Sequence, residues 1–332
     1  MIFECIRAIV LRRRFALWFP TVVGVALCVI GSDSVLAQSQ APARRPAKVE
    51  RSVGGGADDE APDAKFGQDW VRMQHDGNGD VLGMQTAIVR YTGKGPNGKP
   101  VTVDLIGAVH IADPTYYKQL NKKFKEYDAL LYELVAPEGT VVERGRGTSS
   151  GHPIGAMQNV FKDVLELDHQ LEEIDYTPKN FVHADMSPDD FANAMKDRND
   201  SFLQMYFRLI GHAMAHQSEM AAKGESSDVE LLSALFATDR PRRLKIVLGK
   251  QLSEMESLMV SFGGEDGSVI ITDRNKKALE VLTGQIGKGR KKIGIFYGAG
   301  HLADMDKRLR KDFNLQPESV TWLTAWDLAA KK

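Results

Sequence analysis

Two heptapeptides in this chain are close copies: Gly107-Ala108-Val109-His110-Ile111-Ala112-Asp113 and Gly298-Ala299-Gly300-His301-Leu302-Ala303-Asp304. Each histidine stands three residues after a glycine, just beyond an apolar run (residues 101–106 and 293–297). A histidine at the carboxyl end of a strand occupies the position where α/β proteins place chemistry, because strand ends open onto a crevice. Its imidazole can ligate a metal or exchange a proton near neutral pH. The glycine is expected to sharpen the turn and leave the ring room to face a cleft. Packing alone does not demand histidine in both copies, so His110 and His301 are read as parts of one site.

Glu133 is the third candidate. It lies in the apolar run Leu130-Leu131-Tyr132-Glu133-Leu134-Val135, where a carboxylate is costly unless it is paired, metal-bound or at the open end of the strand. It is expected to end the strand beside the one that bears His110. Two imidazoles and a carboxylate can form an open shell for a divalent transition metal such as Mn, Co or Zn. Without metal, the same groups can act as a general base with an orienting partner. Asp185 would complete the shell or orient a histidine from behind. Arg274 would neutralise Glu133 or clamp a developing oxyanion. His212 and His216 have the i, i+4 spacing of a metal pair, but His-Ala-Met-Ala-His lacks the glutamate of a zinc-protease helix, and they are read as an ordinary helix face. His75, His152 and His169 carry no independent signal, and His183 draws interest only through its closeness to Asp185.

These residues need elements to hold them. Residues 84–91 and 99–106 are expected as a hairpin across the turn-rich 93–98 loop. Asp113-Pro114 reads as an N-cap with proline at the first helical position, and Tyr116, Tyr117, Leu120, Phe124 and Tyr127 share one face of the helix that follows. Strands are expected over 129–134, 181–184 and 320–326, and helices from Ser187-Pro188, after a cap at Thr272-Asp273, and over 201–223. Residues 139–152 read as a loop, and Asp76-Gly77-Asn78-Gly79-Asp80 as a turn, since it lacks the glycine and glutamate of a calcium loop. The expected fold is α/β: a mixed sheet built from two pseudo-repeated strand–turn–helix–strand units, with a helical insertion over about 154–262. The sequence contains no phosphate loop.

At the amino end, Arg12-Arg13-Arg14, an apolar stretch over 15–30 and Val35-Leu36-Ala37 read as an export signal cut after Ala37. An uncleaved anchor is the rival reading, although the stretch is short for a membrane span and contains Pro20. Residues 38–64 read as a flexible tether, leaving 65–332 as the folded domain. Both cysteines, Cys5 and Cys28, fall in the signal. The exported chain is therefore expected to have no disulfide and no thiolate ligand, so any metal must rest on His, Asp and Glu. Residues 1–37 carry four arginines, one glutamate and one aspartate; without them 39 basic residues face 42 acidic ones. That balance gives no field for nucleic acid or an anionic membrane. The expected location is periplasmic or secreted.

Taken in order, Gly107-Ala108-Val109-His110, Tyr132-Glu133-Leu134, Asp273-Arg274-Asn275 and Gly298-Ala299-Gly300-His301 resemble the TraB/GumN/Tiki family, over roughly residues 84–327. The resemblance implies a mixed α/β fold related to erythromycin esterases and ChaN-like haem-uptake proteins. For the Tiki branch it implies a metal-dependent peptidase with His110, Glu133 and His301 at the site and Arg274 supporting them. The leading expectation is therefore a divalent-metal-dependent peptidase or amidase acting on a peptide or small molecule. The alternatives are a haem- or ligand-binding envelope protein and a metal-independent esterase.

Overall fold

The computed structural model describes residues 69–95, 98–137, 139–140, 142, 165–198, 227–261 and 268–330. The expected export signal and tether, most of the 139–152 loop and the expected helix with His212 and His216 lie outside the described residues. In chain order the elements are β1 (Val71–His75), β2 (Val81–Lys94), β3 (Pro100–Ala108), β4 (Ile111–Ala112), α1 (Pro114–Phe124), β5 (Ala129–Tyr132), β6 (Asp168–His169), α2 (Gln170–Glu173), β7 (Phe181–His183), α3 (Pro188–Asp197), α4 (Ser227–Leu235), α5 (Arg240–Ser261), a π-helical turn (Val269–Asp273), α6 (Arg274–Gly287), β8 (Lys292–Gly298), α7 (Ala299–Lys311) and β9 (Gln316–Asp327). Among the described residues no helix is long and apolar enough to cross a membrane.

The fold is α/β, with one mixed sheet of seven strands. The hairpin of β2 and β3 forms as expected, with Ile88 opposite Ile106 and Thr92 opposite Thr102. Its turn is closed by Gly98, which adopts φ +73° and donates its N–H to the Gly95 carbonyl, a conformation that favours glycine. β9 runs antiparallel along β2 from Gly83 to Thr92. β1 and β3 therefore share the opposite edge of that strand, against its first and second halves.

From β3 onward the sheet is parallel, in the order β3, β8, β5, β7. These strands are continuous apolar runs, as strands covered on both faces must be: Ala129 to Tyr132 and Ile293 to Gly298 are buried throughout. α1 packs down through Phe124, whose ring lies 4.8 Å from Phe296 on β8 and 5.7 Å from Phe181 on β7. One expectation is overturned here. The strand leading to Glu133 does not lie beside the strand leading to His110, because β8 is inserted between them. The order is set by pairing between segments far apart in the chain, which local sequence does not encode.

Two helix starts also differ from the reading of the sequence. Asp113 holds the N-cap position of α1 with Pro114 following, but its carboxylate makes no capping bond. One oxygen accepts the Asp327 N–H and the other faces Lys245 at 3.4 Å, tying α1 to β9 and α5. The expected cap at Thr272-Asp273 lies inside a structure that is already helical: Ser268 caps it by accepting the Ile271 N–H, and the π turn runs directly into α6.

Candidate functional site

The parallel strands end at one edge of the sheet, and each delivers a polar residue there. Gly107 pairs with Tyr297 and Ala108 with Gly298, so the two Gly-x-x-His turns leave neighbouring strands at the same level. On the far side of β8, Tyr132 pairs with Phe296, and Glu133 follows immediately. Beyond it Tyr132 pairs with His183, two residues before Asp185. α6 supplies Arg274 from outside the sheet. This carboxyl edge is where open α/β sheets bind ligands.

Glu133 is gripped from three sides. Its Oε2 accepts the Gly298 N–H at 2.7 Å, placing the carboxylate at the amino end of α7, where the helix dipole favours negative charge. Its Oε1 accepts from Arg274 Nη2 at 2.7 Å and lies 3.5 Å from His301 Nε2. Burial alone would raise the carboxyl, but Arg274, His301, His110 and the Gly298 amide outweigh it and hold Glu133 well below the ordinary carboxylate range. Glu133 is thus an ionised group throughout the physiological range.

Arg274 is buried, at 1% exposure. It holds Asp185 with two bonds, Nε to Oδ1 at 2.9 Å and Nη2 to Oδ2 at 2.6 Å, alongside its bond to Glu133. Burial works against its charge, but the two carboxylates outweigh that and push its pKa up. Such planar bidentate pairing is what arginine, not lysine, provides. The geometry chooses between the two roles expected of Arg274: it neutralises Glu133, and it is too buried to clamp a substrate oxyanion. Both oxygens of Asp185 are on Arg274, and one also accepts the Met186 N–H. Asp185 supports Arg274.

His301 lies in the first turn of α7, buried and edge-on to Tyr297 at 5.3 Å. Its Nδ1 meets Asn275 Oδ1 at 2.7 Å and its Nε2 faces Glu133. Burial lowers its pKa to about 4 against the pull of Glu133, so the ring is neutral at pH 7. The cluster of Glu133, Asp185, Arg274 and neutral His301 carries one net negative charge. His110 is half-buried on the adjacent turn; its carbonyl accepts the Gln170 N–H, and its ring acts on Glu133 through its field.

Whether a divalent ion suits these residues depends on their free donor atoms. The 3.5 Å between His301 Nε2 and Glu133 Oε1 is near the roughly 3.3 Å that two ligands span on one tetrahedral ion with bonds of about 2.0–2.2 Å. Two acceptor atoms facing each other across that gap repel unless a cation or a proton donor lies between them. Among the described residues there is no group of three or more His, Cys, Asp or Glu side chains that could hold a metal ion.

Among the described residues, His75, His169 and His183 stand apart from this pair. His183 Nε2 lies 2.6 Å from the Leu134 carbonyl and its ring is edge-on to Tyr132, which steadies the segment that follows Glu133. His169 is buried on β6 and His75 ends β1. Two residues not singled out as site candidates in the sequence belong to the site. Asn275 holds His301, and Tyr297 packs on it while donating its hydroxyl to the Ala184 carbonyl. The signal for Asn275 was its place directly after Arg274; Tyr297 had none beyond its apolar run. No protein-family model, curated protein or solved structure matches this chain.

Proposed function

We propose that this chain is an exported hydrolase that cleaves an amide or ester bond in a peptide or small molecule at the carboxyl edge of β3, β8 and β5. The observation that carries the reading is the facing pair of Glu133 Oε1 and His301 Nε2, 3.5 Å apart beside the His110 turn. The near-identity of the two heptapeptides, on neighbouring strands, supports a site made from two copies of one unit. The resemblance to the TraB/GumN/Tiki family points the same way.

Glu133 stays ionised because Arg274 and the Gly298 amide hold it so, and Arg274 is in turn balanced by Asp185. His301 stays neutral because it is buried. An incoming water can give its proton to either of the two facing atoms, but a carboxylate held far down and an imidazole near 4 are both weak bases at pH 7, and base catalysis is most efficient when the pKa lies near the working pH. A divalent ion, if held by His110, Glu133 and His301, would supply what these bases lack, a polarised carbonyl and a water acidic enough to ionise near neutral pH. That balance favours the metal-dependent reading over the metal-free esterase.

The test is metal content and hydrolysis of a peptide and ester panel, for the wild type and for the His110→Ala/His301→Ala double variant. About one equivalent of Mn, Co or Zn in the wild type only, with turnover lowered at least ~100-fold in the variant, is expected. Hydrolysis that survives exhaustive chelation moves the assignment to the metal-free esterase. A Soret band on adding haem, lost in the variant and without turnover, moves it to the envelope haem binder.

A further inference from the structure

The Asn275 side chain can be oriented in only one way. One end of its amide faces the His301 carbonyl at 3.0 Å and Asp304 Oδ2 at 2.9 Å. Both are acceptors, so that end must be the NH2 group, with its two hydrogens used on two oxygens. Flipping the amide would set three oxygens against each other in a place with no exposure to water. The other end is then the carbonyl oxygen, 2.7 Å from His301 Nδ1. An oxygen there accepts, so Nδ1 must carry the hydrogen.

We infer that Asn275 is a positioning residue that fixes His301 as the Nδ1–H tautomer, leaving the Nε2 lone pair as the atom presented to Glu133 and to the reaction. Asp304 holds the amide in place and is itself held by Arg308 at 2.7 Å, which gives the last residue of the second heptapeptide a function. The π turn makes this arrangement reachable. It sets Arg274 and Asn275 side by side at the start of α6, and residues adjacent on a helix diverge by about 100°. Arg274 therefore reaches the carboxylates while Asn275 reaches the imidazole. Asp113, the matching residue of the first heptapeptide, binds β9 and α5 instead and serves no histidine.

This inference deepens the proposed function, but its test does not depend on turnover. Nitrogen-15 NMR of the labelled chain distinguishes a protonated from a bare ring nitrogen, and the His301 signals are those lost in His301→Gln. The wild type is expected to show Nδ1–H with bare Nε2, in excess by about tenfold or more, the size of a buried hydrogen bond. Asn275→Leu should abolish that excess. A wild type with Nε2 protonated, or an Asn275→Leu chain with the excess intact, overturns the inference. If Asn275→Leu does not fold, the wild type and Asn275→Ala decide it by the same criterion. Zinc titration keeps the two readings apart: the expected tautomer in a chain that takes up no zinc retains this inference and removes the metal. Where zinc does bind, loss of Asn275 should weaken it by about 10- to 100-fold.

Discussion

The two heptapeptides differ far more in space than in sequence. In the second, Gly298 is the N-cap and α7 begins at once, so His301 sits in the first helical turn, tied to Asn275 and facing Glu133. In the first, the backbone runs on beyond Ala108 through His110, pairs Ile111 with His169 in a small two-stranded sheet, and becomes helical only at Pro114. The proline suits the late start. The residue before a proline is disfavoured in the helical region, and Asp113 is extended at φ −66°, ψ 143°. Its counterpart Asp304 is followed by Met305 and lies within α7. His110 is left on an irregular, half-buried turn, and His301 on a buried first helical turn. Near-identical motifs have produced an anchored histidine and a looser one.

The largest expected contrast is in the charges behind each turn. Arg274→Met leaves Glu133 and Asp185 buried without their cation, and should lower unfolding stability in urea by about 3–5 kcal/mol. Lys245→Met removes the ion behind the first turn, a single 3.4 Å contact with Asp113, and should cost less than the Arg274 change, because Asp113 keeps the Asp327 N–H. Equal losses would mean that the second turn is not the anchored one. Next comes pH. His301 is lowered from 6.5 to about 4 on folding, so between those values the unfolded chain binds more protons. Stability should be full above about 6.5 and fall by on the order of 3 kcal/mol as pH drops to 4. Glu133, also depressed, contributes a further loss below the ordinary carboxylate range. His301→Gln should flatten the upper part of this profile; if the slope survives unchanged, His301 is not its source.

The glycines offer a smaller and more local contrast. Neither Gly107 nor Gly298 adopts positive φ, so the expected reason for them, a sharp turn, is not the operative one. Both are sites of close approach. A Cβ on Gly107 would lie 3.2 Å from the Ala87 backbone carbonyl, whereas one on Gly298 would lie 3.3 Å from Glu133 Oε2. Gly107→Ala should therefore cost stability, about 1–3 kcal/mol, with turnover little changed. Gly298→Ala should spare stability and lower turnover by displacing the carboxylate. The reverse pattern would place the working group at the first turn. Smallest of all is Pro114→Ala, expected to cost under about 1 kcal/mol through the unfolded chain alone.

Much of this was legible where the signal is local. The β2–β3 hairpin, the apolar runs ending at His110, Glu133 and His301, and the buried face of α1 all follow from periodicity and turn chemistry within short windows. The strand order was not legible, because β8 enters between β3 and β5 from far along the chain. Nor was the π turn, because a short apolar run such as Val269-Ile270-Ile271 has no period that separates strand from helix. Arg274 and Asp185 were picked out singly, but their pairing depends on where β7 and α6 meet. Asn275 needed the hydrogen-bond census around it before its role had meaning.

The dispersal of the site has a consequence for how the protein comes into being. Glu133 and the Gly298 amide that grips it are 165 residues apart, and β2 meets its partner β9 across a comparable or greater span, with Gln85 and Thr324 separated by 239. Contacts of such long range form late and slowly, because closing the intervening loops precedes their reward. A chain still being synthesised holds both histidines and the glutamate without holding the cluster they form. The cluster stays unassembled until nearly the whole sequence is free to close.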